Sequence, residues 1–124
     1  MSLLESGENY LEAILRLSKK QLEIHAIDIV NALGFSKPSV SIALKKLKDD
    51  NYITIDQNSH ISLTPKGLEI ANKIYERHVI ITNLLIKLGV SNNIAEADAC
   101  KIEHHISNET FDAIKNLYSK IKEL

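Results

Sequence analysis

Apolar positions in the first third of the chain recur at three- and four-residue spacing. Between Glu8 and Leu17, the residues Tyr10, Leu11, Ile14, Leu15 and Leu17 form the stripe of an amphipathic helix. A polar connector, SKKQLE, leads into IHAIDIVNALG, where Ile27, Val30 and Leu33 keep the helical period and Gly34 supplies a stop. In FSKPSVSIALKKLKDD, Ser36 is placed to cap a further helix. Lys37 and Pro38 fall in its first turn, where proline's missing N–H removes no bond, and Val40, Ala43, Leu44 and Leu47 form its inward stripe. Two short helices around a tight turn, the second one basic, predict a helix-turn-helix.

The next segment, NYITIDQNSHISLTPKG, changes period. Tyr52, Ile53 and Ile55 precede a polar DQNS turn, and Ile61 and Leu63 follow it, which predicts a two-stranded hairpin in the position of a wing. Thr64 then caps a long helix with Pro65 just inside, and its stripe runs through Leu68, Ile70, Ala71, Ile74, Tyr75, His78, Ile81, Leu84, Leu85 and Leu88 to Gly89. Two more helices are predicted, roughly Ile94 to Ser107 and Glu109 to Ile121, with Ser107 or Asn108 capping the last. The expected fold is mainly α: a winged helix-turn-helix over residues 1–64, then a long connecting helix and a helical lobe over 65–124.

Composition narrows the class. A chain with 44% hydrophobic and 25% charged residues is that of a soluble globular protein, and no apolar run approaches the roughly 20 residues of a membrane-spanning helix. The start, MSLLESGENYLEAI, has no basic region followed by an apolar one, so no secretion signal is read and a cytoplasmic location is expected. The single cysteine, Cys100, has no internal disulfide partner and is expected to remain a thiol. A net charge of −1 does not decide for or against nucleic acid; its distribution is more telling. From Ser36 to Lys48 there are four lysines and no acids, whereas residues 79–124 carry five Lys/Arg against six Asp/Glu.

A basic helix followed by a wing suits duplex DNA. Residues in the N-terminal half of such a helix reach base edges in the major groove, here Ser36, Lys37, Pro38, Ser39, Ser41 and Ile42. Lys45, Lys46 and Lys48 would meet phosphates. Pro38 and Ile42 offer only apolar contact, which suits thymine methyls and an A/T-leaning site, and His60 would touch the backbone or minor groove from the wing. A protein-interaction winged helix shares these features and stays open at this level.

The segment ACKIEHHIS crowds metal-ligand types. On a helix, Cys100, Glu103 and His104 stand at i, i+3 and i+4 on one face, while Lys101 and His105 point elsewhere. Three donors make part of a coordination sphere, and the remainder must come from other elements. Glu12, three residues after Asn9 on the first helix, and His78 on the long helix are the candidates. A small metalloenzyme with Glu103 as general base finds no support, since no nucleophile elbow, phosphate loop or His-Glu-x-x-His motif is present.

Together, ENYLEAI, IVNALGFSKPSVSIALKKL, the wing ending in LTPKG, the RH at 77–78 and CKIEHHIS at 100–107 resemble the diphtheria-toxin-repressor and manganese-transport-regulator family of metal-dependent bacterial repressors. The resemblance implies a homodimer binding a palindromic operator, with divalent metal held between a DNA-binding lobe and a dimerisation lobe. It implies metal-ligand roles for Glu12, His78, Cys100, Glu103 and His104. Asn9 stands where the family places aspartate or methionine, so only a weak amide ligand is expected there. Thr82 replaces a common glutamate, and Glu96 falls where the iron-responsive branch has an ancillary histidine; both bear on a second metal position. Cys100 matches the iron-responsive branch, whereas the manganese branch has glutamate. A thiolate suits Mn(II) poorly, so Fe(II) is favoured, with Mn(II), Co(II), Ni(II) and Zn(II) as alternatives. The chain ends at Leu124, just after the helical lobe, like the shorter two-domain members. The expected function is repression of metal-homeostasis genes in response to iron or manganese. The protein is expected to be no enzyme and to take neither a membrane nor a small organic substrate as partner. The alternative is a metal-independent winged-helix factor with a degenerate site.

Overall fold

The computed structural model describes residues 5–124. Those residues form six helices and one hairpin: α1 (Glu5–Ser18), α2 (Ala26–Leu33), α3 (Lys37–Asp49), β1 (Ile53–Ile55), β2 (Ile61–Leu63), α4 (Pro65–Lys87), α5 (Asn92–Ile102) and α6 (Asn108–Ile121). They divide into two compact units, one up to Asn72 and the other from Lys73 to Leu124. The 23 residues of α4 run through that boundary.

In the first unit, α1 meets α2 and β2, α2 meets α3, and α3 meets β1. Leu11 and Ile14 from α1, Ile29 from α2, Val40, Leu44 and Leu47 from α3, and Ile53 and Ile61 from the hairpin are its buried apolar residues. α1 is buried at every position from Tyr10 to Leu15, Glu12 included, which is more than one face of a helix. On α2 the expected inward residue Ile27 is 47% exposed and Ile29 is buried instead. Six of the eight α2 residues are apolar, so periodicity alone does not choose a face, and docking does.

Local chemistry explains the ends of these helices. Gly34 takes the left-handed conformation, φ 74°, and donates its N–H to the Val30 carbonyl at 2.8 Å, which closes α2. Ser36 caps α3, its Oγ accepting from the Ser39 N–H at 3.3 Å. At the other end Asn51 is left-handed, φ 66°, and Tyr52 returns its N–H to the Leu47 carbonyl at 2.9 Å. Thr64 caps α4: its Oγ1 accepts from Gly67 N–H at 3.1 Å and donates to the Asn51 carbonyl at 2.7 Å.

The wing is antiparallel, with Ile53 opposite Leu63, Thr54 opposite Ser62 and Ile55 opposite Ile61. Asp56 organises its tip, since one carboxylate oxygen accepts from both the Asn58 and the His60 N–H at 2.9 Å. The strand continues the hydrogen bonding of the segment before α2, because the Ile61 N–H reaches the Ile24 carbonyl at 2.8 Å. The base of the hairpin packs tightly on α4. A Cβ on buried Gly67 would lie 2.0 Å from the Tyr52 carbonyl oxygen, an overlap no side-chain motion relieves.

In the second unit, Ile81 of α4, Ala99 of α5 and Phe111 of α6 make the core, with Ile80, Leu85, Ile102 and Ile106 packed around it. α5 ends at Ile102 rather than near Ser107. The apolar residues Ile102 and Ile106 extend the helical period, but the backbone of 103–106 turns away to start α6, where Ser107 caps by accepting from Thr110 N–H at 3.1 Å. The α4 stripe is also only partly covered, with Leu68 41% and Leu88 70% exposed.

Two outcomes follow from this geometry. Gly67→Ala forces backbone apart at the hairpin base and costs about 1–3 kcal/mol or more in urea unfolding; an unchanged midpoint would contradict the close approach. Asp56 is held below its ordinary pKa of 3.8 mainly by the His60 N–H, against a smaller desolvation effect. Its contribution to wing order is therefore complete above that value and disappears as pH falls through the lowered one. The Asn58 and His60 amide shifts should titrate together with a midpoint under 3.8, and a midpoint above it would contradict the assignment.

Candidate functional site

The second unit gathers ligand-type side chains at the end of α5. Cys100 Sγ, a Glu103 carboxylate oxygen and a His104 ring nitrogen all lie within 4.8 Å of one another. Neighbouring donors about 2.0–2.3 Å from one ion lie roughly 3.3–4.0 Å apart, so these atoms could close on a single ion after a shift of up to about an ångström. The expected i, i+3, i+4 geometry is kept although α5 has ended, because Glu103 remains in the right-handed helical region at φ −59°, ψ −25°. Cys100 is exposed, Glu103 is wholly buried, and the His104 side chain is buried although its residue as a whole is half-buried.

His78 on α4 joins this group and is no surface residue, being 8% exposed. Its Nδ1 lies 2.9 Å from Glu103 Oε2, and since a carboxylate only accepts, Nδ1–H donates. The other oxygen of Glu103 faces His104 Nε2 at 3.4 Å. Glu103 thus stands between two imidazoles. Glu96, one turn before Cys100, is 3.8 Å from His78 Nε2 through Oε1 and is itself exposed. Thr82, one turn beyond His78, has its Oγ1 buried with no hydrogen-bond partner among the described residues. His105 is exposed.

In the first unit Glu12 lies buried on α1, with Oε2 2.9 Å from the Arg16 guanidinium, and Asn9 is half-buried one turn earlier. Thiol, carboxylate and imidazole are the donor types a divalent transition ion takes from proteins, and their spacing in the second unit fits such an ion.

The surface expected to meet DNA is displayed on α3 and the wing. Ser36, Lys37, Pro38, Ser39, Ser41, Ile42, Lys45 and Lys46 are all exposed, and Ile42 is the large apolar residue of α3 left open, 71% exposed. Ser36 and Ser39 are tied to each other, the Ser36 hydroxyl donating to Ser39 Oγ at 2.9 Å, so cap formation occupies part of their capacity. Lys45 is paired with Asp49 at 3.0 Å, which offsets part of the local positive charge. His60 is half-buried, 3.9 Å from Asp56.

Sequence reasoning did not single out Arg77. It is buried beside His78, and its guanidinium donates to the Glu103 carbonyl. The available signal was an arginine on the apolar face of a long helix.

Known proteins share this organisation. Family models for the iron dependent repressor match the chain twice: the N-terminal DNA binding domain over residues 2–61, and the metal binding and dimerisation domain over residues 64–123. The transcriptional regulator MntR of Salmonella typhimurium is 40% identical over 106 residues, 86% of this chain and 68% of the relative. An uncharacterised HTH-type transcriptional regulator of Methanocaldococcus jannaschii is 32% identical over 121 residues, 96% of this chain and 97% of that one. The solved structure of the manganese regulator SloR superposes with a TM-score of 0.82 at 26% identity, covering 96% of this chain and 55% of that chain. IdeR of T. acidophilum superposes at 0.81 with 23% identity and the same coverage, which shows the common fold. The chain therefore spans just over half the length of these two solved chains. A metal-independent factor with a degenerate site is not supported, since the match extends through the metal binding and dimerisation domain and the ligand-type residues cluster there. The chain belongs to the iron-dependent repressor family, the diphtheria-toxin-repressor and manganese-transport-regulator group of metal-responsive, DNA-binding transcriptional regulators, which are not enzymes.

Proposed function

We propose that this chain represses metal-homeostasis genes from the cytoplasm, using Cys100, Glu103, His104 and His78 of the second unit and Glu12 of the first as ligands to a divalent ion. The observation that carries this reading is the donor cluster of Cys100, Glu103 and His104 in a chain whose other unit is a winged helix. A bound divalent ion supplies positive charge and fixed ligand directions. Glu103 accepts from His78 Nδ1–H at 2.9 Å, so the two are already gathered at one place, and ligation through both facing atoms would release that proton. Glu12, borne on α1, is the ligand through which the DNA-binding unit senses occupancy. Its engagement raises DNA affinity only as far as ligand binding is tighter in the DNA-competent arrangement. Cys100 favours Fe(II) over Mn(II). Asn9 and Glu96 are weaker contributors, and Thr82 supplies no carboxylate to a second position.

On the DNA side, Lys37, Pro38, Ser41 and Ile42, with what Ser36 and Ser39 retain beyond the cap, meet base edges. Lys45 and Lys46 meet phosphates, and His60 contacts DNA from the wing. Two copies read a palindromic operator whose half-sites lie about 34 Å apart or a multiple of that. Exposed Val79, Ile86, Leu88, Ile94 and Leu117 of the second unit supply apolar surface for the second copy.

The test is an anaerobic DNA-binding titration against genomic fragments with Mn(II), Fe(II), Co(II) and Zn(II) in parallel. Metal should tighten operator binding by about 5–150-fold, the ordinary range of coupling between two sites. Cys100→Ala, Glu103→Ala and Glu12→Ala should abolish that gain, and His105→Ala should keep it. Metal bound stoichiometrically with no change in operator affinity would refute the reading.

A further inference from the structure

Arg77 is a charged group placed where charge is expensive. It is 5% exposed, and its hydrogen bonds run to neutral oxygens: Nη1 donates to the carbonyls of Glu103 at 2.9 Å and Ile106 at 2.8 Å, and Nη2 donates to Asn108 Oδ1 at 2.7 Å. Its guanidinium lies over the Phe111 ring, 5.3 Å from the centroid. A buried cation without hydrogen bonds would be strongly destabilising, so this one is kept by what it gathers. Everything it gathers lies between residues 103 and 111. Only a planar fork with several fixed N–H groups spans two carbonyls and an amide at once, and a lysine ammonium does not reproduce that geometry.

The gathered segment bears ligands. Glu103 is the last residue held by the α5 ladder, its N–H reaching the Ala99 carbonyl at 2.9 Å; beyond it no such bond sets the path of the chain, yet His104 lies there and must keep its relation to Cys100. Consecutive α4 residues hold Glu103 from two sides: Arg77 takes its carbonyl, and His78 meets its carboxylate. With the main chain fixed at 103, 106 and 108, the directions of the Glu103 and His104 side chains are fixed as well.

We propose that Arg77 is the positioning residue of the metal centre, holding the 103–108 turn so that the donors stand preformed around a site the arginine itself does not touch. The inference rests on the metal-centre reading above. It makes metal affinity depend on the bonds to Glu103, Ile106 and Asn108, as affinity elsewhere depends on groups that orient ligands without ligating.

The experiment is an anaerobic Co(II) titration of the full chain, following the thiolate-to-cobalt absorption band and competing with a chelator, with far-UV circular dichroism of each metal-free variant. Arg77→Lys should keep helical content, bind Co(II) at least about tenfold more weakly, and show a weakened or displaced thiolate band. Asn108→Leu should lose affinity in the same direction by a smaller factor, and Asn108→Asp, which restores the acceptor, should recover that loss. If Arg77→Lys does not fold, the Asn108 pair decides. A folded Arg77→Lys or Asn108→Leu with wild-type affinity and spectrum overturns the role of Arg77 and leaves the metal centre standing. Absence of any thiolate band in the wild type overturns the metal centre and this inference with it.

Discussion

A carboxylate with no exposure to water is the constraint around which the second unit is arranged. Glu103 is wholly buried, and an isolated carboxylate there would be far too costly to keep ionised. Its oxygens are met by His78 at 2.9 Å and His104 at 3.4 Å, while its main chain is drawn in by Arg77. Buried polar groups of this kind contribute little net stability compared with apolar packing, so stability alone does not account for them. The apolar alternative was available: Ile81, Ala99 and Phe111 pack in the same unit. On the proposed reading, the polar cluster is retained because its donors serve a cation, and the unit tolerates the cost in return for a site that is assembled in advance.

The winged helix was legible because its signals are local. Ser36 with Pro38 marks the start of α3, and Gly34 marks the end of α2. The polar DQNS segment becomes the Asp56-centred turn, and Thr64 with Pro65 opens α4. Each of these is a short-range hydrogen bond or a backbone preference, which residues a few positions apart determine. The misreadings are of another kind. Ile27 was assigned inward and is exposed, since an eight-residue helix rich in apolar residues has no clear face until neighbours choose one. The end of α5 was placed too late because Ile102 and Ile106 sustain its period. Past that end Arg77, 26 residues before Glu103, bonds the Glu103 and Ile106 carbonyls, a partnership no local pattern announces.

The same distinction separates what was readable in the site. Residue types and spacing singled out Cys100, Glu103 and His104, and the helical path that places them on one side is kept as far as the Glu103 N–H to Ala99 carbonyl bond. His78 was named from its position on the long helix, but its burial and its contact with Glu103 depend on α5 folding back on α4. Arg77 stood in the RH motif at 77–78 but received no role of its own, because its partners lie in a segment far along the chain. Its role exists only once the 103–108 turn has formed against α4. Leu88 illustrates the limit from the apolar side. Periodicity identified it as part of a stripe, yet it is 70% exposed in a single copy, because pattern records that a face is apolar and not which molecule covers it.

The cluster is also asymmetric, and the asymmetry bears on how it would choose among ions. Glu103 and the His104 side chain are enclosed, and Glu103 accepts from His78, whereas Cys100 lies on the exposed flank of α5. Enclosed donors held by second contacts resist rearrangement, so they set distances; an exposed donor on the last turn of a helix accommodates small differences in radius. The hard carboxylate and the imidazoles accept every first-row divalent ion to some degree, and the thiolate is the donor whose preference differs most along that series. Selectivity in this arrangement would therefore lie mainly with Cys100, at the place where the site is least constrained. Overall affinity would lie with the buried half that Arg77 and His78 hold. Replacing the thiol by a carboxylate at position 100 would shift the order of preference among ions more than the strength of binding to any one of them, because the enclosed donors would be left as they are.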